Sequence, residues 1–293
     1  MRCRLSFLLF AVLLVTFFAH GQAVRSEMIV STEWLAGRLG STMVVDVADP
    51  ASFAAGHIPG ARLLGMRDLV VDDGQILNEL PDIDALETLF TRLGVGNQQR
   101  IVLYSREPLL ATRAWFTLDY LGHGHRTSVL DGGYARWTAE GREIARDARA
   151  FAPAVFTAAP NLGAVVERKS MRELVRWRAT LGESYVLIDA RPSQFYDGVA
   201  TGEGVSRAGH IPDAKSIPWM QNVSANGTFL PAAELRRLYD AAGATPRRTV
   251  IVYCRTGMEA SMTFFVLRYL GCDVSLYDGS FIEWTRTGDT PVA

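Results

Sequence analysis

The sequence predicts an α/β protein built as two tandem domains, each a mainly parallel sheet flanked by helices. Short apolar, strand-like runs alternate with helix-period segments along the chain, the pattern of parallel α/β units. The order of segments also repeats. Asp46 and Asp189 each end a strand-like run, Gly56-His57-Ile58-Pro59 returns as Gly209-His210-Ile211-Pro212, and Tyr120-Leu121-Gly122 returns as Tyr269-Leu270-Gly271. Three matches in one order indicate duplication. Once a leader is removed, about 270 residues remain, long for a single core and ordinary for two domains.

The leader comes first. Met1-Arg2-Cys3-Arg4 is positively charged, Leu5 to Ala19 is apolar, and Gly21-Gln22-Ala23 carries small residues where a signal peptidase cuts. Residues 1–23 therefore read as a cleaved secretory signal, which implies a periplasmic or secreted protein. The apolar run falls short of the ~18–20 residues a membrane span needs, so no stable membrane anchor is expected.

The first domain is expected over residues 24–146. Ser31 caps a helix through Leu39, and Met43–Val47 is a strand. The turn around Gly56-His57-Ile58-Pro59 follows, then an amphipathic helix from Pro81 to Leu93 and a strand from Arg100 to Tyr104. A helix from Ala111 to Leu121 ends at Gly122, and Val129 to Gly133 is a strand and turn before a short helix. Residues 147–168 show little periodicity and contain Pro153 and Pro160, as a linker does. In the second domain, 169–293, the helix is Ser170 to Leu181, the strand Tyr185–Asp189, and the amphipathic helix Pro231 to Ala242. Residues 199–207 are an insertion, and their glycines suggest a flexible surface loop.

Net charge is −1, so nothing suggests a nucleic-acid partner. Beyond the leader the cysteines are Cys254 and Cys272, at opposite ends of one expected helix and about 25 Å apart at ~1.5 Å per residue. That separation forbids a disulfide, whose Cα atoms lie within ~7 Å.

Cys254 is the candidate reactive group. Thr249 to Tyr253 reads as a buried strand and Met262 to Leu270 as a helix, so Cys254 stands where strand hands over to helix, the edge at which α/β sites collect. Loop N–H groups and the helix N-terminus favour negative charge there, and such cysteines titrate well below the usual ~8.5. A lowered thiol pKa is the expectation. An inert buried cysteine is the alternative. Tyr104-Ser105 occupies the same place in the first half, and serine is the weaker nucleophile, so that half reads as chemically silent. A cysteine phosphatase needs an arginine six residues after its cysteine; Ala260 stands there.

These residues resemble the tandem-domain rhodaneses, sulfurtransferases of the thiosulfate and 3-mercaptopyruvate type. The likeness rests on the paired Gly-His-Ile-Pro segments, Leu187 to Arg191, Ser216-Ile217-Pro218-Trp219, Asn226-Gly227-Thr228-Phe229 and Val252 to Gly257. It implies two rhodanese-like domains, with Cys254 as the nucleophile that carries a persulfide. Arg255, Thr256, Gly257, Met258 and Glu259 would cradle it, Asp189 and Arg191 would support the site, and no cofactor or metal is implied. The partners would be thiosulfate as sulfur donor and cyanide or a thiol as acceptor. Arg255 leans to thiosulfate. Phe195 stands where mercaptopyruvate enzymes of the family usually carry an arginine, leaving Arg191 or Arg207 as candidate substitutes. A non-catalytic sulfur carrier is the rival reading. His57 and His210 occur in both halves and read as structural, and Trp137 and Trp284 as core.

The leader predicts a mature N-terminus near Val24. Mass spectrometry of the exported protein checks it, and soluble protein that retains Met1 would refute it.

Overall fold

A computed structural model describes residues 23–293 except Asp73, Gln75, residues 148–150 and Glu183. The leader, up to Gln22, lies outside the described residues. The first half runs β1 (Ile29–Val30), α1 (Thr32–Ala36), β2 (Met43–Val47), α2 (Pro50–Ala55), β3 (Arg62–Leu64), α3 (Ile83–Arg92), β4 (Ile101–Tyr104), α4 (Pro108–Tyr120), β5 (Thr127–Leu130) and α5 (Gly133–Ala139). The second runs β6 (Val165–Val166), α6 (Arg168–Arg176), α7 (Arg178–Leu181), β7 (Tyr185–Asp189), α8 (Ser193–Tyr196), β8 (Lys215–Ser216), α9 (Ala232–Ala241), β9 (Thr249–Tyr253), α10 (Met258–Tyr269), β10 (Asp273–Tyr277) and α11 (Ser280–Arg286). The two five-stranded sheets have equivalent orders, β1-β5-β4-β2-β3 and β6-β10-β9-β7-β8. Every pairing within them is parallel. The duplicated α/β architecture expected from the sequence is the one observed.

The repeated sequence marks have one physical explanation. Asp46 is paired in register with Tyr104, and Asp189 with Tyr253, across the neighbouring strand. Each tyrosine hydroxyl accepts the N–H of the isoleucine in its Gly-His-Ile-Pro turn, at 2.9 Å from Ile58 and 3.1 Å from Ile211. Each turn histidine stacks on an aromatic ring, His57 on Phe53 at 3.8 Å and His210 on Tyr196 at 3.7 Å. Their Nδ1 atoms lie 3.0 Å from the Phe53 and Tyr196 carbonyls. The histidines are therefore structural. Trp137 and Trp284 are buried on the outer sides of the two sheets, each indole N–H donating to a carbonyl at 2.8 Å.

Helices α4 and α10 are buried almost all round, from Ala111 to Leu118 and from Ala260 to Leu267. A helix with no polar face is one covered on every side. Each covers its own sheet and packs on the other, with Trp115 edge-on to Phe265 at 5.0 Å and Phe116 edge-on to Phe264 at 4.9 Å. One core cluster thus joins both halves, from Val45 and Leu103 to Ile188 and Val252. Between the helices, Arg113 is fully buried and donates to Asp278 Oδ1 at 2.8 Å and to the Asn78 carbonyl at 2.7 Å.

The stretch expected as linker is a packed strap. Phe156 is buried against Phe90, and the N–H groups of Ala154, Ala159 and Asn161 bond the Thr91, Leu121 and Tyr120 carbonyls. Its end is not linker at all, because β6 pairs with β10 in the second sheet, ahead of the expected start at residue 169. An extended strap has no helical or alternating period to betray it, which is why composition alone made it look free.

Replacing Arg113 with alanine strands the Asp278 carboxylate in the interface. Such a loss costs about 3–5 kcal/mol. Denaturant titration should show this, with both halves still unfolding in one transition because they share a core; two separate transitions in the wild-type chain would contradict the shared core.

Candidate active site

Cys254 directly follows β9, the central strand of the second sheet, and is 1% exposed. Its backbone is held from α11, where the Ser280 hydroxyl accepts the Cys254 N–H at 3.3 Å and Phe281 N–H donates to the Cys254 carbonyl at 3.0 Å. The loop then turns at Gly257, whose φ is +82°. A Cβ there would stand 2.9 Å from Asp278 Oδ1 and 3.1 Å from Arg113 Nη1, so both the backbone and the space demand glycine. This turn delivers the N–H groups of Thr256, Glu259 and Ala260 to the Cys254 sulfur.

The thiol does not titrate as the sequence suggested. Burial first, and the Glu259 carboxylate second, push Cys254 up to about 12, against the pull of the three loop amides. The expectation of a lowered pKa counted the amides and the helix end but not the water excluded around the sulfur. Glu259, in the first turn of α10, hydrogen-bonds the thiol and is itself raised to about 6. Burial is the main cause and Asp189 the next, opposed by Arg255 and Arg191.

A cavity of about 390 Å³ opens over the loop. Arg255, Thr256, Met258, Glu259 and Arg191 line it, as do Phe195, Gly202, Glu203, Val205 and, from the first half, Asn78. Cys254 is not among the lining residues; a sulfur atom added to it would extend the side chain beyond a position that is now sealed. Gly257 and Asp189 are also off the cavity wall. Asp189 instead accepts the Arg191 N–H at 3.0 Å and its guanidinium at 2.6–3.0 Å, while Arg191 Nη2 reaches the Gly209 carbonyl at 2.8 Å. Arg191 is thus a fixed cation whose charge is largely matched.

Two expectations are corrected here. The insertion 199–207 is tethered, not a free loop. Arg255 donates to the Glu203 carbonyl at 2.8 Å, and Arg207 is spent on Thr290 and on the Thr287 carbonyl at 2.6–2.9 Å. Arg207 therefore does not line the cavity and cannot replace the arginine missing at Phe195.

In the first half the equivalent loop is closed on itself. Ser105 donates to the Glu107 carbonyl and accepts from Ala111 N–H at 3.3 Å. Arg106, the counterpart of Arg255, folds back onto Asp46 at 3.4 Å and onto the Ser52 and Gly56 carbonyls at 2.7 and 2.6 Å. Ala48 stands where the second half has Arg191, so the loop arginine takes the place that Arg191 takes beside Asp189.

Fold and site together define a duplicated parallel α/β protein with one cysteine loop and one serine copy of it. The family model of the Rhodanese-like domain matches residues 31–140 and 172–287, and the chain belongs to this family of sulfurtransferases. It is 32% identical over 282 residues to the sulfur carrier protein TtuD of Thermus thermophilus, covering 91% of this chain and 96% of that one. It is 31% identical over 294 residues to a thiosulfate sulfurtransferase of Corynebacterium glutamicum, covering 94% and 93%. Among solved structures, the 3-mercaptopyruvate sulfotransferase SseA of Escherichia coli matches with a TM-score of 0.74 and 27% identity, over 86% of this chain and 98% of that one.

Glu259→Gln removes the charge that raises the Cys254 pKa, so the pH of half-maximal alkylation of Cys254 should fall. The same variant tests linkage. Because the folded Glu259 titrates near 6, above its ordinary 4.5, the favourable contribution it makes when protonated is lost as pH rises from about 4.5 through 6. Thermal melts should therefore show E259Q gaining on wild type across that window and holding the gain at pH 8.

Proposed function

We propose that the protein moves a sulfane sulfur from thiosulfate to cyanide or a thiol through a persulfide on Cys254. The observation that carries this reading is the set of three loop amides directed at one buried sulfur. They are placed for a negative sulfur atom, which a persulfide supplies. Glu259, bonded to the thiol, is the acceptor for its proton. The thiolate sulfur then attacks the outer sulfur of thiosulfate. A new S–S bond forms, the bond to the sulfonate sulfur breaks, and sulfite leaves with the electron pair. Cyanide carbon next attacks the outer persulfide sulfur; the S–S electron pair returns to Cys254 and thiocyanate departs. This is covalent catalysis with ping-pong kinetics.

Arg255 at the cavity and Phe195 in place of an arginine support thiosulfate over 3-mercaptopyruvate. The relative named as a thiosulfate sulfurtransferase agrees with that choice, and the likeness to SseA keeps 3-mercaptopyruvate as the alternative donor. The relative named as a sulfur carrier supports a second reading, in which Cys254 loads once and hands its sulfur to a protein.

Incubation with thiosulfate alone should add one sulfur to the peptide containing Cys254. Cys254→Ser should fold normally and lose both the added mass and turnover, by at least a thousandfold on the scale of covalent nucleophiles. Comparable turnover by the serine variant would remove Cys254 from the mechanism. Loading without turnover in excess cyanide would favour the carrier reading, and a larger kcat/KM with 3-mercaptopyruvate would exchange the donor.

A further inference from the structure

The half without a cysteine contributes a side chain to the cavity. Asn78 Nδ2 donates to Thr256 Oγ1 at 2.9 Å, and Asn78 lines the cavity over the loop. Its position is fixed by backbone. Arg113 holds its carbonyl at 2.7 Å, Asp278 Oδ2 accepts the Leu80 N–H at 2.7 Å, and Val71 and Glu79 pair as an antiparallel bridge. Its φ is +63°, in the left-handed region where asparagine is among the few side chains accepted.

The duplication supplies an internal control. Leu80-Pro81 and Leu230-Pro231 are matching pairs, so Thr228 is the counterpart of Asn78. The segment before Leu230 crosses in the opposite sense and covers the inert Ser105 loop, with Phe229 N–H caught by Asp131 at 2.9 Å. There the side chain of Thr228 bonds Asn226 within its own turn, at 2.8 Å. Both crossings hold the halves together by backbone. Asn226 also lines the pocket over Ser105, but its side-chain oxygen is held by Ser224 and Thr228, and among the described residues only Asn78 hydrogen-bonds the opposite loop through its side-chain amide.

Donor counting shows what that amide leaves available. A side-chain amide has two N–H groups, and a hydroxyl donates one proton and accepts at two lone pairs. Asn78 spends one N–H on Thr256 and occupies an acceptor site of that hydroxyl, which directs the Thr256 proton elsewhere. The second Asn78 N–H has no hydrogen-bond partner among the described residues. Charge at the cavity is divided, with Arg191 matched by Asp189 and Glu259 opposing an anion. Neutral donors thus complement Arg255.

We propose that Asn78, with Thr256, binds the oxyanion end of the sulfur donor, so that the first domain supplies a donor-binding residue to the active site of the second. This rests on the sulfurtransferase reading. The step it acts on is loading of Cys254, since cyanide or a thiol attacking the persulfide brings no such oxyanion group.

Two variants test it with thiosulfate as probe. Asn78→Gly keeps the left-handed backbone and deletes the amide; Asn78→Asp keeps the shape and replaces donors with a negative acceptor. Stopped-flow loading of the intact chain should need about tenfold more thiosulfate for half-maximal rate in N78G and more again in N78D, a tenfold change being ~1.4 kcal/mol. Release of sulfur from preloaded enzyme to cyanide should stay within about twofold of wild type, well below the tenfold that ~1.4 kcal/mol represents. Unchanged thiosulfate dependence in both variants, or equal losses in loading and release, would overturn the proposal, the second because it is the mark of a loosened loop. A wild-type chain that takes no sulfur from thiosulfate at all overturns this proposal together with the thiosulfate reading, whereas wild-type loading with indifferent variants overturns Asn78 alone.

Discussion

The contact between α4 and α10 is the constraint on which the rest of the molecule depends. Each helix is buried along eight successive residues, most of them apolar, so neither domain can present it to water. The four aromatic rings that meet there are buried to the last per cent of their surface. Burying side chains of this kind stabilises by ~1.5–3 kcal/mol each, enough that separation of the halves would expose a large part of the net stability of either. The active loop is the N-terminal lead-in to α10, so the same packing that joins the domains sets the position of the cysteine. Arg113 makes the link direct, because its buried guanidinium touches Asp278 and the Asn78 carbonyl while standing beside Gly257.

This coupling gives the half without the cysteine loop a structural role. Its own loop is closed by Arg106, which fills the place beside Asp46 and leaves Ser105 bonded within the turn. In the second half the equivalent aspartate is satisfied by Arg191, from its own strand end, and the loop arginine is released to face the cavity. Among the differences between the two loops, Ala48 against Arg191 decides where the loop arginine goes, and Ser105 against Cys254 decides which half carries a thiol.

Much of this was legible in the chain before any coordinates. The duplication, the sheet class, the strand-end cysteine and the pairing of the Gly-His-Ile-Pro turns all follow from local pattern, because each is written within a few consecutive residues. What was illegible is what depends on residues far apart in sequence. Asn78 and Thr256 are separated by 178 positions, and nothing in the polar stretch around Asn78 marks it as part of a site. The thiol pKa was illegible for a related reason, since the amides are local to the loop while the exclusion of water depends on the packing around it. The sequence does carry one sign of the second contact: Ala260 to Leu267 has no charged residue on any face of the helix, the pattern of a helix covered on every side.

The raised thiol pKa also constrains how chemistry can proceed. A neutral thiol, sealed from water and sharing a hydrogen bond with a carboxylate, is a poor nucleophile at rest. The cost of making the thiolate falls if its proton moves the short distance to Glu259 as the donor anion arrives, since the pair then keeps one negative charge throughout. Once it holds the proton, Glu259 no longer opposes an anion at the cavity wall, and the negative charge passes to the buried sulfur beside the loop amides. In the proposed reaction, burial of Cys254 would protect an idle sulfur from adventitious oxidants, and the neighbouring carboxylate would tie its activation to occupancy of the cavity.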